Sequence, residues 1–160
     1  MSQELDPKIE ANFRPGTLTR DGFLGHDSRP VFEIIRQDGK TLDRLGLTRE
    51  AAADFLQRLL DEGKKGLEGP VDFEGRILQI HWARGLLPCP FGEPRLHSKI
   101  TATVNDPSTG RKLRFSQLAI HLIRGHGFFG GQGSQYRIEP EEVIGFMRHP
   151  FIKNREVPST

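Results

Sequence analysis

The spacing of apolar residues changes at about Val71 in this 160-residue chain, from helical to alternating, and that change limits the folds open to it. Up to about residue 64 they recur at helical intervals. Val31, Ile34, Ile35, Leu42 and Leu45 fit one helix entered near Pro30, with Ser28 as its cap and Gly39 as its weak point. Thr48 then caps a second helix, in which Ala52, Phe55, Leu56 and Leu59 form an i, i+3, i+4, i+7 stripe. From Val71 the period falls to two. In RILQIHWA, Leu78, Ile80 and Trp82 alternate with Ile77, Gln79 and His81, the pattern of a strand with one buried face.

The rest of the order follows from turn and cap chemistry. GLLPCPFGEP reads as a loop, and SKITATV and RKLRF as a hairpin closed by NDPSTG. A short helix, SQLAIHLIR, runs from a Ser116 cap to Gly125. A Gly-rich loop, a short strand QYRI and a last helix opened by Pro140 complete the chain. The expected architecture is α+β: two N-terminal helices, a small mostly antiparallel sheet with a hairpin, then the short helix, loop, strand and C-terminal helix. Residues 13–148 form the expected single domain, with flexible tails at 1–12 and 149–160.

Charge is unevenly placed. The formal net charge is only +2, yet the window from Arg95 to Arg137 holds seven basic residues and one acid, Asp106. A basic segment in an otherwise acidic chain points to an anionic partner. No apolar run approaches a membrane span, and the first dozen residues lack the apolar stretch of a signal peptide. With Cys89 as the lone cysteine, an internal disulfide is excluded, and a reducing cytoplasm is the expected compartment.

The densest chemistry lies in SQLAIHLIRGHGFFGGQGSQYRIEP. At helical spacing His121 and Arg124 share a polar face with Gln117, away from Leu118, Ala119, Leu122 and Ile123. An anion between the two cations would relieve their mutual repulsion. Gly125, Gly127, Gly130, Gly131 and Gly133 surround His126 and Ser134, and read either as a plain turn or as a nest of N–H groups around a phosphate. GHGFFG follows a helix, so the dinucleotide-binding reading of G-x-G-x-x-G is rejected. Phe128 and Phe129 are base-stacking or core residues. Arg137 suits a bidentate phosphate contact, with Tyr136 on the other side of its strand, and Lys99 is a further cation or a plain surface lysine.

Cys89, His97, His121 and His126 would suit zinc chemically, but no CxxC pair supports them, and no metal or other cofactor is assigned. Two histidines with fixed cations are what metal-free cleavage of an RNA phosphodiester through its own 2′-hydroxyl requires. The same set would serve a non-catalytic nucleotide- or RNA-binding module, and a zinc-stabilised interaction protein is a third reading.

GFLGHDSRP, PCPF and LAIHLIRGHGFFGGQGSQYRIEP together resemble a small family of ring nucleases that accompany type III CRISPR systems and degrade cyclic oligoadenylate. The resemblance spans about residues 22–146. It implies a metal-independent homodimer that cleaves a cyclic oligonucleotide across its two-fold axis to 2′,3′-cyclic phosphate ends. His121 and His126 would share the acid and base roles, aided by Arg137 and Lys99. The resemblance carries over to His121, His126 and Arg137, with Asp27 and Arg29 joining from the first loop; the residues' own chemistry adds Arg124, Gly130, Gly131, Gly133, Ser134 and Tyr136 as substrate contacts.

Overall fold

A computed structural model describes residues 5–135 and 137–148. Its elements in order are α1 (Pro7–Ala11), α2 (Val31–Leu45), α3 (Arg49–Lys64), β1 (Val71–Phe73), β2 (Arg76–Pro88), β3 (Leu96–Asp106), β4 (Arg111–Ser116), α4 (Gln117–His126) and α5 (Pro140–Arg148). The strands form one antiparallel sheet in the order β1-β2-β3-β4, so the fold is α+β as the change of period requires.

One face of the sheet is apolar because every second residue of each strand points the same way. Leu78, Ile80, Ala102, Val104, Leu113 and Phe115 supply that face and pack against Leu56, Leu59 and Leu60 of α3, Ile120 and Ile123 of α4, and Phe146 of α5. A second core lies under the loops. There Phe13 meets the rings of Phe23, Phe91 and Phe128 edge-on at 4.9–5.8 Å, beside Val31, Ile34, Cys89, Leu118 and Leu122.

Thr48 and Ser116 cap α3 and α4 as expected, accepting from the N–H groups of Ala51 and Ala119, both at 3.0 Å. Thr48→Ala is expected to lower stability by about 1 kcal/mol, measurable by urea denaturation.

Five expectations change. Ser28 does not cap α2: Pro30 holds the cap position without a side-chain bond, and Glu10 Oε2 accepts from Val31 N at 3.0 Å. Residues 5–12 are therefore more than a tail, since α1 brings that carboxylate to the positive end of α2 and seats Leu5 and Ile9 on the second core. Trp82 does not join the buried row; it is 47% exposed, because β2 runs past the helical layer after Ile80. Gly85–Pro88 is strand, not loop, re-entering the ladder after a bulge between Trp82 and Leu86. Beyond Leu78, β1 no longer pairs with β2, so this stretch is an edge and Pro88 is tolerated there. Finally, the described residues of QYRI form no strand. Arg137 N closes a turn onto Ser134 O, and Ile138 N donates to Phe129 O. The tail expected at 149–160 lies outside the described residues, as do Met1–Glu4 of the first.

Candidate metal centre

The turn between β2 and β3 carries two of the groups that matter. Gly92 N bonds to Cys89 O at 3.0 Å, and Gly92 adopts φ +91°, a left-handed conformation that glycine reaches without strain. This tight return buries Cys89 in the second core and leaves Glu93 at the surface, its side chain 44% exposed. Asn12 braces the turn by donating to Pro90 O.

Helix α4 brings the other two. It extends one residue beyond the expected stop, to His126, because Gly127 provides the left-handed C-cap. His121 and His126 therefore ride on one helix, with ring centroids 5.5 Å apart. The His126 ring lies flat on Phe91, 3.9 Å between centroids, which fixes its plane.

Both imidazoles converge on a single atom. Glu93 Oε1 lies 2.7 Å from His121 Nε2 and 3.2 Å from His126 Nε2, and each ring donates to it when its Nε2 carries the proton. Cys89 Sγ is 3.7 Å from His126 Nε2. The four ligand atoms of Cys89, Glu93, His121 and His126 all lie within 4.8 Å of one another. Ligand atoms around a tetrahedral zinc stand roughly 3.3–3.8 Å apart, so an ion would be held once Glu93 backs off the two imidazoles by under an ångström and the wider pairs draw in.

The environment sets the charges. Hydrogen bonding from His126, and then from His121, holds the Glu93 carboxyl down at about 2 against the opposing effect of burial. Burial pushes the Cys89 thiol up to about 11, so without a cation it keeps its proton and is a poor nucleophile. His97 packs against His121 with centroids 4.5 Å apart; burial lowers its pKa, and His121 and Arg95 add to the effect. Its Nε2 is buried without a hydrogen-bond partner.

The cations expected beside these histidines are elsewhere. Arg124 pairs with Asp54 of α3 at 2.7 Å. Arg137 is buried: its guanidinium meets both Asp38 oxygens at 2.6 and 2.9 Å, Glu139 at 3.0 Å and the Gly130 carbonyl at 2.9 Å. Burial works against that charge, but the bonds from Asp38 and Glu139 outweigh it and raise the Arg137 pKa. With both edges of its fork engaged inside the protein, Arg137 is a structural ion and not a phosphate clamp.

The glycine loop is likewise filled by the chain itself. Gly131 N donates to Phe23 O at 2.9 Å and Gln132 N to Asp27 Oδ2 at 3.0 Å, while Ser134 N turns back to Gly131 O. These N–H groups therefore do not form an open anion nest. A Cβ on Gly131 would collide with the backbone of Leu24, one on Gly133 with the His26 ring, and one on Gly25 with the backbone at Ser134. The glycines are there because two loops touch backbone to backbone. Gly131→Ala is expected to cost at least 1–3 kcal/mol, roughly the range for overpacking, read as a lower urea midpoint with no change in metal binding.

Asp27 and Arg29 pin the same junction. Arg29 binds Asp27 at 2.6 and 2.8 Å, and the Asp27 side chain is nearly inaccessible. The Arg29 hydrogen bond, helped by the backbone N–H groups of Gln132 and Arg29, holds the Asp27 carboxyl well below the usual carboxylate range despite burial. A depressed folded-state pKa means that the unfolded chain binds the proton more readily. This contribution is therefore complete above the ordinary aspartate range, near pH 4, and is lost as pH falls towards the folded value. Asp27→Asn should accordingly shrink the stability difference between pH 7 and pH 3, measured by urea midpoints. An unchanged acid limb would refute that assignment.

Lys99, Gly130, Gly133 and Ser134 line a separate cavity that none of the four clustered ligand residues enters. Phe129 belongs to the main core and Phe128 to the second, so neither ring stands free at the surface to stack on a base, although both border this cavity. Tyr136 lies outside the described residues. The expected site is thus divided among a His-carboxylate-thiol cluster, an internal ion-pair junction and a cavity. Sequence reasoning missed Glu93 and Asp38. Glu93 had one available signal, its place four residues after Cys89 in a Pro- and Gly-bounded turn.

Comparison with family models, curated proteins and solved structures finds no match.

Proposed function

We propose that this chain is a metal-stabilised domain in which Cys89, Glu93, His121 and His126 hold one divalent ion of the zinc type. The observation that carries the reading is their convergence: two loop residues and two helix residues, apart in sequence, place four donor atoms within 4.8 Å. Sulfur and imidazole donors suit zinc, whereas magnesium and calcium want several oxygens. Cys89 is the buried donor, and Glu93 closes the solvent side. The ion would clasp the β2–β3 turn to α4, replacing the thiol proton and the His–Glu hydrogen bonds. A compartment that keeps Cys89 reduced, such as the cytoplasm, fits this role.

Cobalt substitution is the direct test. One equivalent of Co2+ added to the full chain should give tetrahedral d–d bands and a thiolate-to-cobalt charge-transfer band, both displaced by Zn2+. Because Cys89 is the sole cysteine, that band identifies its ligand. Octahedral spectra, or no thiolate band, would overturn the reading.

Metal-free cleavage of RNA or cyclic oligoadenylate, by a cytoplasmic homodimer, is a second reading. It draws on the 5.5 Å separation of the His121 and His126 rings, which lets both reach one phosphate. It ranks lower because Arg137 is committed to the buried Asp38 and because the Glu93 carboxylate stands between the imidazoles. Cleavage of labelled cyclic oligoadenylate in excess EDTA, lost in both His121→Ala and His126→Ala, would promote it. Intact ligand would remove it.

A further inference from the structure

The second core does not close completely. Beside it opens a cavity of about 690 Å³, within the size range of small-molecule sites. Leu87 of β2, Leu118 and Leu122 of α4, and Phe128 give it an apolar floor continuous with that core. Its opposite wall is the junction of the loops around residues 18–25 and 130–135, already fixed by the Asp27 hydrogen bonds and the glycine contacts. The space is therefore preformed and needs no loop closure to exist.

Charge on the lining is sparse. Arg20 and Asp21 both border the cavity, but their side chains are 94% and 69% exposed and only 4.0 Å apart at nearest approach, so both charges are directed to solvent and not over the apolar floor. Lys99 makes no hydrogen bond or ion pair among the described residues; its ammonium lies alongside Gly85 on β2. Among the described lining residues, an apolar body with one ammonium at its edge that has no partner is complementary to one ligand class. We propose that this cavity binds a small amphiphilic monoanion, an aliphatic or aromatic carboxylate, with its hydrocarbon against Leu87, Leu118, Leu122 and Phe128 and its carboxylate on Lys99. The ammonium supplies charge-assisted hydrogen bonding while apolar burial supplies most of the affinity. None of the clustered metal ligands touches this space, so the inference does not rest on the metal reading.

The test is displacement of 1-anilinonaphthalene-8-sulfonate from the full chain by decanoate, with methyl decanoate as the uncharged control. Decanoate should bind with one site per chain, with or without EDTA. Lys99→Met, which keeps the aliphatic stem at an exposed position, should weaken decanoate roughly fivefold and leave the ester unchanged. Ala83→Trp, on an exposed strand position at the cavity wall, should exclude both ligands while far-ultraviolet circular dichroism stays that of the wild type. No saturable decanoate binding, equal effects of Lys99→Met on acid and ester, or undiminished binding by Ala83→Trp would each overturn it.

Discussion

Zinc added to the metal-free chain should raise its melting temperature by on the order of 10 °C, and Cys89→Ser or His126→Ala should abolish the rise. The estimate follows from mass action. Free ion at a thousand times its dissociation constant stabilises the folded state by about 4 kcal/mol, and a chain of this size gains roughly 2–4 °C per kcal/mol. Three features make the effect large. The donors are already gathered by the fold, so little ordering remains to oppose binding. Cys89 sits in the second core and the His126 ring is clamped by Phe91, so two donors are held in place before the ion arrives. The ion also joins elements that otherwise meet there through side-chain contacts alone, and unfolding would have to release it. Glu93→Gln should reduce the shift without removing it, since the three inward donors remain. Calorimetry with and without zinc measures all four proteins, and an equal rise in wild type and Cys89→Ser would defeat the assignment.

Replacing Arg137 with Ala should cost about 3–5 kcal/mol, the usual penalty for removing one partner of a buried ion pair. Asp38 is itself 6% exposed, so its carboxylate would be left in the interior without its hydrogen-bonded counter-charge, Arg29 remaining only as a more distant cation already paired with Asp27. The Gly130 carbonyl and Glu139 would lose their donor in the same substitution. Arg137→Met with Asp38→Leu should recover part of the loss, because it removes the stranded Asp38 charge while Glu139 and the Gly130 carbonyl stay without their donor. Urea denaturation of the single and double variants separates these outcomes. A single-variant loss below 1 kcal/mol would show that the network is not structural.

These results bear on how function is read from such a chain. Arg137 looked like a phosphate ligand because it is a guanidinium near glycines and histidines in a basic window. The reading omitted Asp38, which lies 99 residues away and becomes adjacent only when α2 packs beside the glycine loop. Arg124 was misplaced for the same reason, by Asp54, 70 residues earlier. The glycine cluster was visible at once, but its purpose was not. Close backbone approach to a ligand and close approach to another loop demand the same absence of Cβ. Leu24 and His26 fill the place assigned to a phosphate. The histidines fared differently. Their nearness in sequence pairs them, with His126 read into the glycine loop; that α4 itself carries both emerges only with the Gly127 cap, while Glu93 escaped because a carboxylate in a turn has no period to betray it.

Residue order alone dictates the local layer: the caps at Thr48 and Ser116, the hairpin around NDPSTG, the opening of α5 at Pro140, and the apolar faces that make an α+β fold. Those features depend on neighbours within about one helical turn or one strand repeat, distances over which the order of residues is itself the geometry. Tertiary structure alone decided which charges are spent and which donors converge. Arg137 meeting Asp38 and Cys89 meeting His126 are consequences of packing the two cores, and such long-range pairings leave no periodic trace in the chain. The change from period 3.6 to period 2 thus fixed what kind of layers form. How those layers docked fixed the chemistry between them.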